Sequence, residues 1–166
     1  GNQPHPDSAA SFYALASALL GEKAYQKAKK PAKEALNMRQ QVYGKVPYHP
    51  TISASLHQLG DICTLLHHYD QALDYYGPAI AHLEPIREQY PAKEKQLRPK
   101  LEESCGKLMR LVQDNMPLCI RLLRLIGQMD SQAYLNKLYL PPQATNDRPL
   151  HEQVIKFIHS ASPVSV

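Results

Sequence analysis

Tryptophan is absent from this chain, phenylalanine occurs twice and glycine only seven times in 166 residues. That scarcity argues against an all-β fold, which needs aromatic, β-branched strands and glycine-rich turns. No run of about 18 apolar residues exists, so no stretch reads as a membrane-spanning helix. No charged-then-apolar leader precedes the patterned sequence, which follows directly on Gly1-Asn2-Gln3. The expectation is a piece excised from a longer protein, with Gly1 a cloning remnant. Only three cysteines occur, Cys63, Cys105 and Cys119, widely spaced within apolar helical patterns. An odd number of isolated cysteines suits buried thiols in a reducing, intracellular (cytoplasmic) compartment better than a disulfide framework.

The motifs of catalysis are missing as well. There is no Gly-x-Ser-x-Gly elbow, no Cys-His constellation, no carboxylate pair in a polar pattern and no phosphate-cradling glycine-rich loop. Neither a catalytic residue nor a cofactor is expected. Eight histidines raise the question of a metal. His67 and His68 fall in a turn, and His57 is not i, i+4 from another histidine, so they lack the spacing of a helical zinc site. No metal is expected.

What is present is alanine, leucine and a repeat. His49 to Ile80 (HPTISASLHQLGDICTLLHHYDQALDYYGPAI) reads as two amphipathic helices around a turn at His67-His68-Tyr69. His5 to Leu36 has the same grammar 44 residues earlier, with His-Pro, Ala-Ser, Tyr and Ala recurring in phase. Self-similarity of that period marks a repeat array.

In the first unit, Asp7 or Ser8 suits a helix cap, and Phe12, Leu15, Ala16, Leu19 and Leu20 form the apolar stripe. Gly21-Glu22-Lys23 breaks that helix. A second begins near Ala24 and buries Ala28, Ala32, Ala35 and Leu36; Pro31 should bend or break it, and Gly44 reads as a left-handed stop. In the second unit, mid-helix Gly60 implies close backbone approach by another helix, because glycine there otherwise costs about 1 kcal/mol against alanine. Gly77-Pro78 and Pro85 predict a kink or short break in the helix from Tyr69.

Residues 92–115 form a third, heavily charged helical pattern. Pro117 then opens the most apolar stretch, a helix over 117–140 suited to lidding the end of an array. Residues 141–148 read as a linker and 149–160 as a short terminal helix, which has no evident core and is a candidate to occupy the groove described below.

Positions Leu56, Leu59, Gly60, Cys63, Ala72, Tyr76 and Ala79 match the helix-packing pattern of the tetratricopeptide repeat, save that Cys63 stands where tyrosine is usual. Phe12, Leu15, Ala16, Leu19, Ala28, Ala32 and Ala35 match more loosely and in phase. The His-Pro starts and the Leu36–Gly44 ending resemble the extended repeats of kinesin light chains. The resemblance covers residues 5–91, as repeats 5–44 and 49–91, and fails over 92–140, a degenerate third pair or cap. It implies an all-α, right-handed superhelical array of antiparallel helix pairs, a solenoid with C-terminal capping helices.

The resemblance further implies a non-catalytic scaffold or adaptor that binds a peptide or helix in a concave groove formed by the first helix of each pair. Its groove positions would be Ala10, Tyr13, Ala14 and Ser17, then Ala54, His57, Gln58, Asp61 and Thr64. Ala14 and Gln58 depart from the asparagine usual in such repeats. No basic carboxylate clamp is present, and Asp61 would repel a C-terminal carboxylate. A solvated helix face is the plainer reading of these residues.

Charge runs in blocks: +4 over residues 1–47, −4 over 48–91 and +4 over 92–166. Alternation suits neighbouring repeats that attract each other. Lys23, Lys27, Lys29, Lys30 and Lys33 lack interleaved aromatics, so neither nucleic acid nor membrane is the expected partner. The expected partner is a protein or peptide. The alternative is an end-piece of a longer array that caps it, or self-associates as a homo-oligomer through the apolar 117–140 helix.

Overall fold

A computed structural model describes residues 3–46 and 48–129. The expected end of the 117–140 helix, the linker 141–148 and the terminal helix 149–160 lie outside them. The described residues are all-helical, without strands. Seven helices follow in order: α1 (Pro6–Gly21), α2 (Tyr25–Val42), α3 (Pro50–Leu65), α4 (Tyr69–Ala81), α5 (Leu83–Gln89), α6 (Pro91–Val112) and α7 (Met116–Gln128). The chain divides into two compact units, residues 1–98 and 99–166, with the boundary inside α6.

The first unit consists of helical hairpins in a strict 44-residue register. Pro6 and Pro50 occupy the first turns of α1 and α3, where proline's missing N–H costs nothing. Ahead of each stands a histidine cap. Nδ1 of His5 accepts the N–H of Asp7 at 3.1 Å, and Nδ1 of His49 accepts that of Thr51 at 3.3 Å. The first helix is therefore capped by His5 rather than by Asp7 or Ser8, because Pro6 already holds the first helical position.

The ends of α1 and α3 repeat as closely. Lys23 and His67 both adopt φ 61°. Lys23 N–H donates to Leu20 O and Ala24 N–H to Leu19 O; in the second hairpin His67 N–H donates to Thr64 O and His68 N–H to Cys63 O. This is the left-handed stop that usually recruits glycine, built here without it. The turn is thus Leu66–His68, and Tyr69 already belongs to α4.

Small residues let the helices close on each other. Ala16, Ala28, Ala32, Leu59 and Ile62 form one fully buried cluster joining α1, α2 and α3. In the second hairpin, cross-helix pairs Ser53–Ala79, Gly60–Tyr76 and Cys63–Gln71 run in opposite directions along the two helices, so α3 and α4 are antiparallel. At Gly60 it is a side chain rather than the backbone of the neighbouring helix that comes close: a Cβ there would lie 2.5 Å from Cδ1 of Tyr76.

Two expectations, at Gly44 and Leu15, are corrected. Pro31 lies inside a continuous α2, and the short break expected in the helix from Tyr69 is present, after Pro78 and ahead of Pro85. The break falls at His82, because Pro85 has no N–H for the carbonyl of Ala81 four residues back and its ring crowds that carbonyl. Gly44 is not left-handed, since no described glycine has positive φ. Its missing side chain instead clears the carbonyl oxygen of Gln40, which a Cβ would approach to 2.9 Å. Leu15 is 49% exposed and not part of the core.

In the second unit, Leu101, Cys105, Leu108 and Val112 of α6 are buried. Asn115 caps α7 by accepting the Leu118 N–H, and Pro117 sits in the first turn. Leu122, Leu123 and Ile126 are buried. No described helix is long and apolar enough to cross a membrane.

Candidate peptide-binding face

The nine residues that the repeat pattern assigns to a groove lie on α1 and α3, with Gln58 and Thr64 buried. The two helices are joined side by side by Gln58. Its side-chain amide donates to the carbonyl of Tyr13 at 3.1 Å and to Oγ of Ser17 at 2.9 Å. Gln58 is only 5% exposed. Its Oε1 is buried and has no hydrogen-bond partner within the protein. A strut between helices accounts for this side chain better than a solvated face does.

A second group forms around Asp61. Its Oδ1 accepts from the hydroxyl of Tyr76 at 2.6 Å, and its Oδ2 lies 3.3 Å from Nε2 of His57 one helical turn earlier. Thr64 donates to the Gly60 carbonyl at 2.9 Å and meets the Tyr76 hydroxyl at 3.2 Å. Thr64 is buried, His57 and Asp61 are partly covered, and Ala10, Ala14 and Ser17 are exposed. Gln58, through its amide nitrogen, and Thr64, through its hydroxyl, both read from the sequence as open positions, thus bond inside the fold.

Tyr13 stands where the two groups meet. The guanidinium of Arg39 lies over its ring, 4.5 Å from the centroid. Burial pushes the Tyr13 phenol above its ordinary pKa; Arg39 opposes the shift and Asp61 reinforces it. Arg39 itself is 8% exposed, and its Nη1 donates to the Thr51 carbonyl at 3.0 Å and to Oγ of Ser55 at 2.8 Å. One guanidinium therefore ties α2 to the first turns of α3 while packing on α1. Burial lowers its pKa, offset by Tyr13 and Tyr43.

Arg39, Ser55 and the Tyr76 hydroxyl are the residues that the sequence pattern does not single out. The available clue was position: Arg39 lies four residues beyond Ala35 on the α2 stripe that buries Ala28, Ala32 and Ala35.

No group of three or more His, Cys, Asp or Glu side chains among the described residues is placed to hold a metal ion. Cys63 and Cys105 are buried and Cys119 half-buried, with no disulfide among them. Burial raises the Cys63 and Cys119 thiols above their usual range, opposite to what a reactive thiol needs. The exposed chemistry of the face is that of hydrogen bonding and small-residue packing. No protein-family model matches the chain, and no curated protein matches it at a significant level.

Proposed function

We propose that this chain is a tetratricopeptide-type, non-catalytic interaction module that holds a peptide or helix along α1 and α3. It would act as a scaffold or adaptor in a reducing, cytoplasmic compartment, consistent with its isolated thiols. The observation that carries the reading is the Gln58 strut. It ties α3 to α1 through the Tyr13 carbonyl and the Ser17 hydroxyl, which supports reading Ala10 and Ser17 with His57 and Asp61 as one strip of both apolar and polar character. Small residues allow close backbone approach, and the flanking polar groups suit an extended ligand's amides. A right-handed superhelical solenoid belongs to the same proposal.

The test begins with selection of peptides from a displayed random library on the purified chain. A selected peptide, titrated into the labelled protein, should shift the amide resonances of residues 10–17 and 54–61. Ala10→Arg places a bulky cation in the strip without removing any internal bond, and should weaken binding at least ~10-fold. Failure to select any peptide, or shifts confined to other helices, would sink the reading.

A further inference from the structure

The same 44-residue register that relates the hairpins exposes a difference between them. In α3, the face carrying Ile52, Ser55, Gln58, Leu59 and Ile62 is buried throughout, none of the five more than 6% exposed. Leu59 and Ile62 cluster with Ala28 and Ala32, Ser55 meets Arg39, and Gln58 bonds to α1. This is the face that receives the preceding hairpin. Its counterparts in α1, 44 residues earlier, are Ser8, Ser11, Ala14, Leu15 and Ala18, and every one is exposed. Two of the five are identical in the two helices, Ser11 with Ser55 and Leu15 with Leu59.

The polar atoms recur too. Arg39 is held by Oγ of Ser55 and the carbonyl of Thr51. In α1 the equivalent atoms are Oγ of Ser11 and the carbonyl of Asp7, which lie 3.0 Å apart and bond to each other. Asp7 adds a carboxylate that is 93% exposed at the position equivalent to Thr51. An end helix that faced only water would carry a polar outer face. This one carries alanines and a leucine, together with an anchor for a cation.

We propose that this face of α1 is a stacking surface for one further helical hairpin of the same kind. Its second helix carries small residues at the spacing of Ala28, Ala32 and Ala35, then a basic residue where Arg39 stands. That basic side chain takes the Asp7 carbonyl and Ser11 hydroxyl, with the Asp7 carboxylate beside it, while the small residues admit Leu15 and Ala18. The inference rests on the chain's own α2–α3 packing and is independent of any groove ligand.

The probe is a second copy of residues 1–44, fused directly ahead of Gly1 in the full chain. The fusion keeps the 16-residue interval that separates Arg39 from Ser55. Far-UV circular dichroism should show the added segment helical, and amide exchange at Leu15 and Ala18 should slow at least ~10-fold. Leu15→Asp in the unfused chain should leave its thermal midpoint nearly unchanged, because the side chain is half-exposed, yet abolish the protection in the fusion. Arg39→Ala confined to the added copy should reduce it. An added segment that stays unfolded, or unchanged exchange at Leu15 and Ala18, overturns the proposal. So does an unfused chain that dimerises with rising concentration and is made monomeric by Leu15→Asp, since the face then takes a second copy of this chain.

Discussion

The ring of Tyr76 on α4 lies across the backbone of Gly60 on α3, with its Cζ 2.9 Å from where a Cβ would stand. The contact also aims the Tyr76 hydroxyl at Asp61 and Thr64. Gly60→Ala should destabilise the protein even though alanine favours helix by about 1 kcal/mol. Displacing an aromatic ring from a packed interface costs about 1–3 kcal/mol and is accompanied here by strained hydroxyl bonds. Urea unfolding of Gly60→Ala and Tyr76→Phe separates the two parts. The phenylalanine variant keeps the packing and should lose only about 1 kcal/mol.

Lys23 offers the opposite case, a substitution that should help. At φ 61° its Cβ is strained, and its backbone bonds do not involve the side chain. Lys23→Gly should raise stability by roughly 0.5–1 kcal/mol, the relief of left-handed strain less the entropy that glycine adds to the unfolded chain. His67→Gly should give less, because it also deletes the 2.7 Å contact between His67 Nδ1 and the Tyr69 hydroxyl. A gain at His67 larger than at Lys23 in thermal unfolding would contradict this account.

Arg39→Ala removes the tie between hairpins and should cost on the order of 2–4 kcal/mol, the range for severing charge-assisted bonds at a buried site. Arg39→Lys should recover little, since an ammonium cannot span the Thr51 carbonyl and Ser55 hydroxyl and lie flat on Tyr13 at once. A second readout is specific to this geometry. With the guanidinium gone, the Tyr13 phenol should titrate at still higher pH, because Arg39 is the group that lowers it. Ultraviolet titration against a Tyr13→Phe reference measures the shift.

His49 predicts a pH dependence. Its Nδ1 accepts the Thr51 N–H, and its ring stacks on Tyr43 at 3.7 Å. Burial, then the charge of Arg39, hold its pKa below the ordinary 6.5, and burial does the same at His82. The folded state therefore favours neutral rings, and below pH 6.5 the unfolded chain binds more protons. Their contribution to stability is complete above pH 6.5 and is lost as pH falls from there through the folded values. Urea midpoints should drop on acidification. His49→Asn retains a capping side chain without a titrating ring, so its midpoint should fall less steeply; an unchanged slope would dismiss His49 as the source.

The helices and their partners were legible in the chain because spacing of small residues carries the packing. Gly60 could be there only if something came close, and Ala72, Tyr76 and Ala79 indicated what. Burial of polar groups was not legible. Gln58 and Thr64 have the polarity of surface residues, and only the geometry of neighbouring helices commits them inward. Arg39 is the converse: in the sequence it is one more cation on a basic helix, while in the fold it is buried against Tyr13 and Ser55. The prolines differ for a local reason. Pro31 and Pro78 each remove one bond from helices otherwise secured by packing, whereas Pro85, in the first turn of α5, leaves the Ala81 carbonyl without a donor where α4 ends.

The inter-helix packing within residues 1–98 joins mainly elements adjacent in sequence: α1 with α2, α2 with α3, α3 with α4, α4 with α5. Such a topology asks the unfolded chain for only short loop closures, which favours folding in the microsecond-to-millisecond range. It also grades resistance to unfolding along the polypeptide. A perturbation at one hairpin is felt by its neighbour and weakly beyond, so loss of structure should spread by steps rather than all at once.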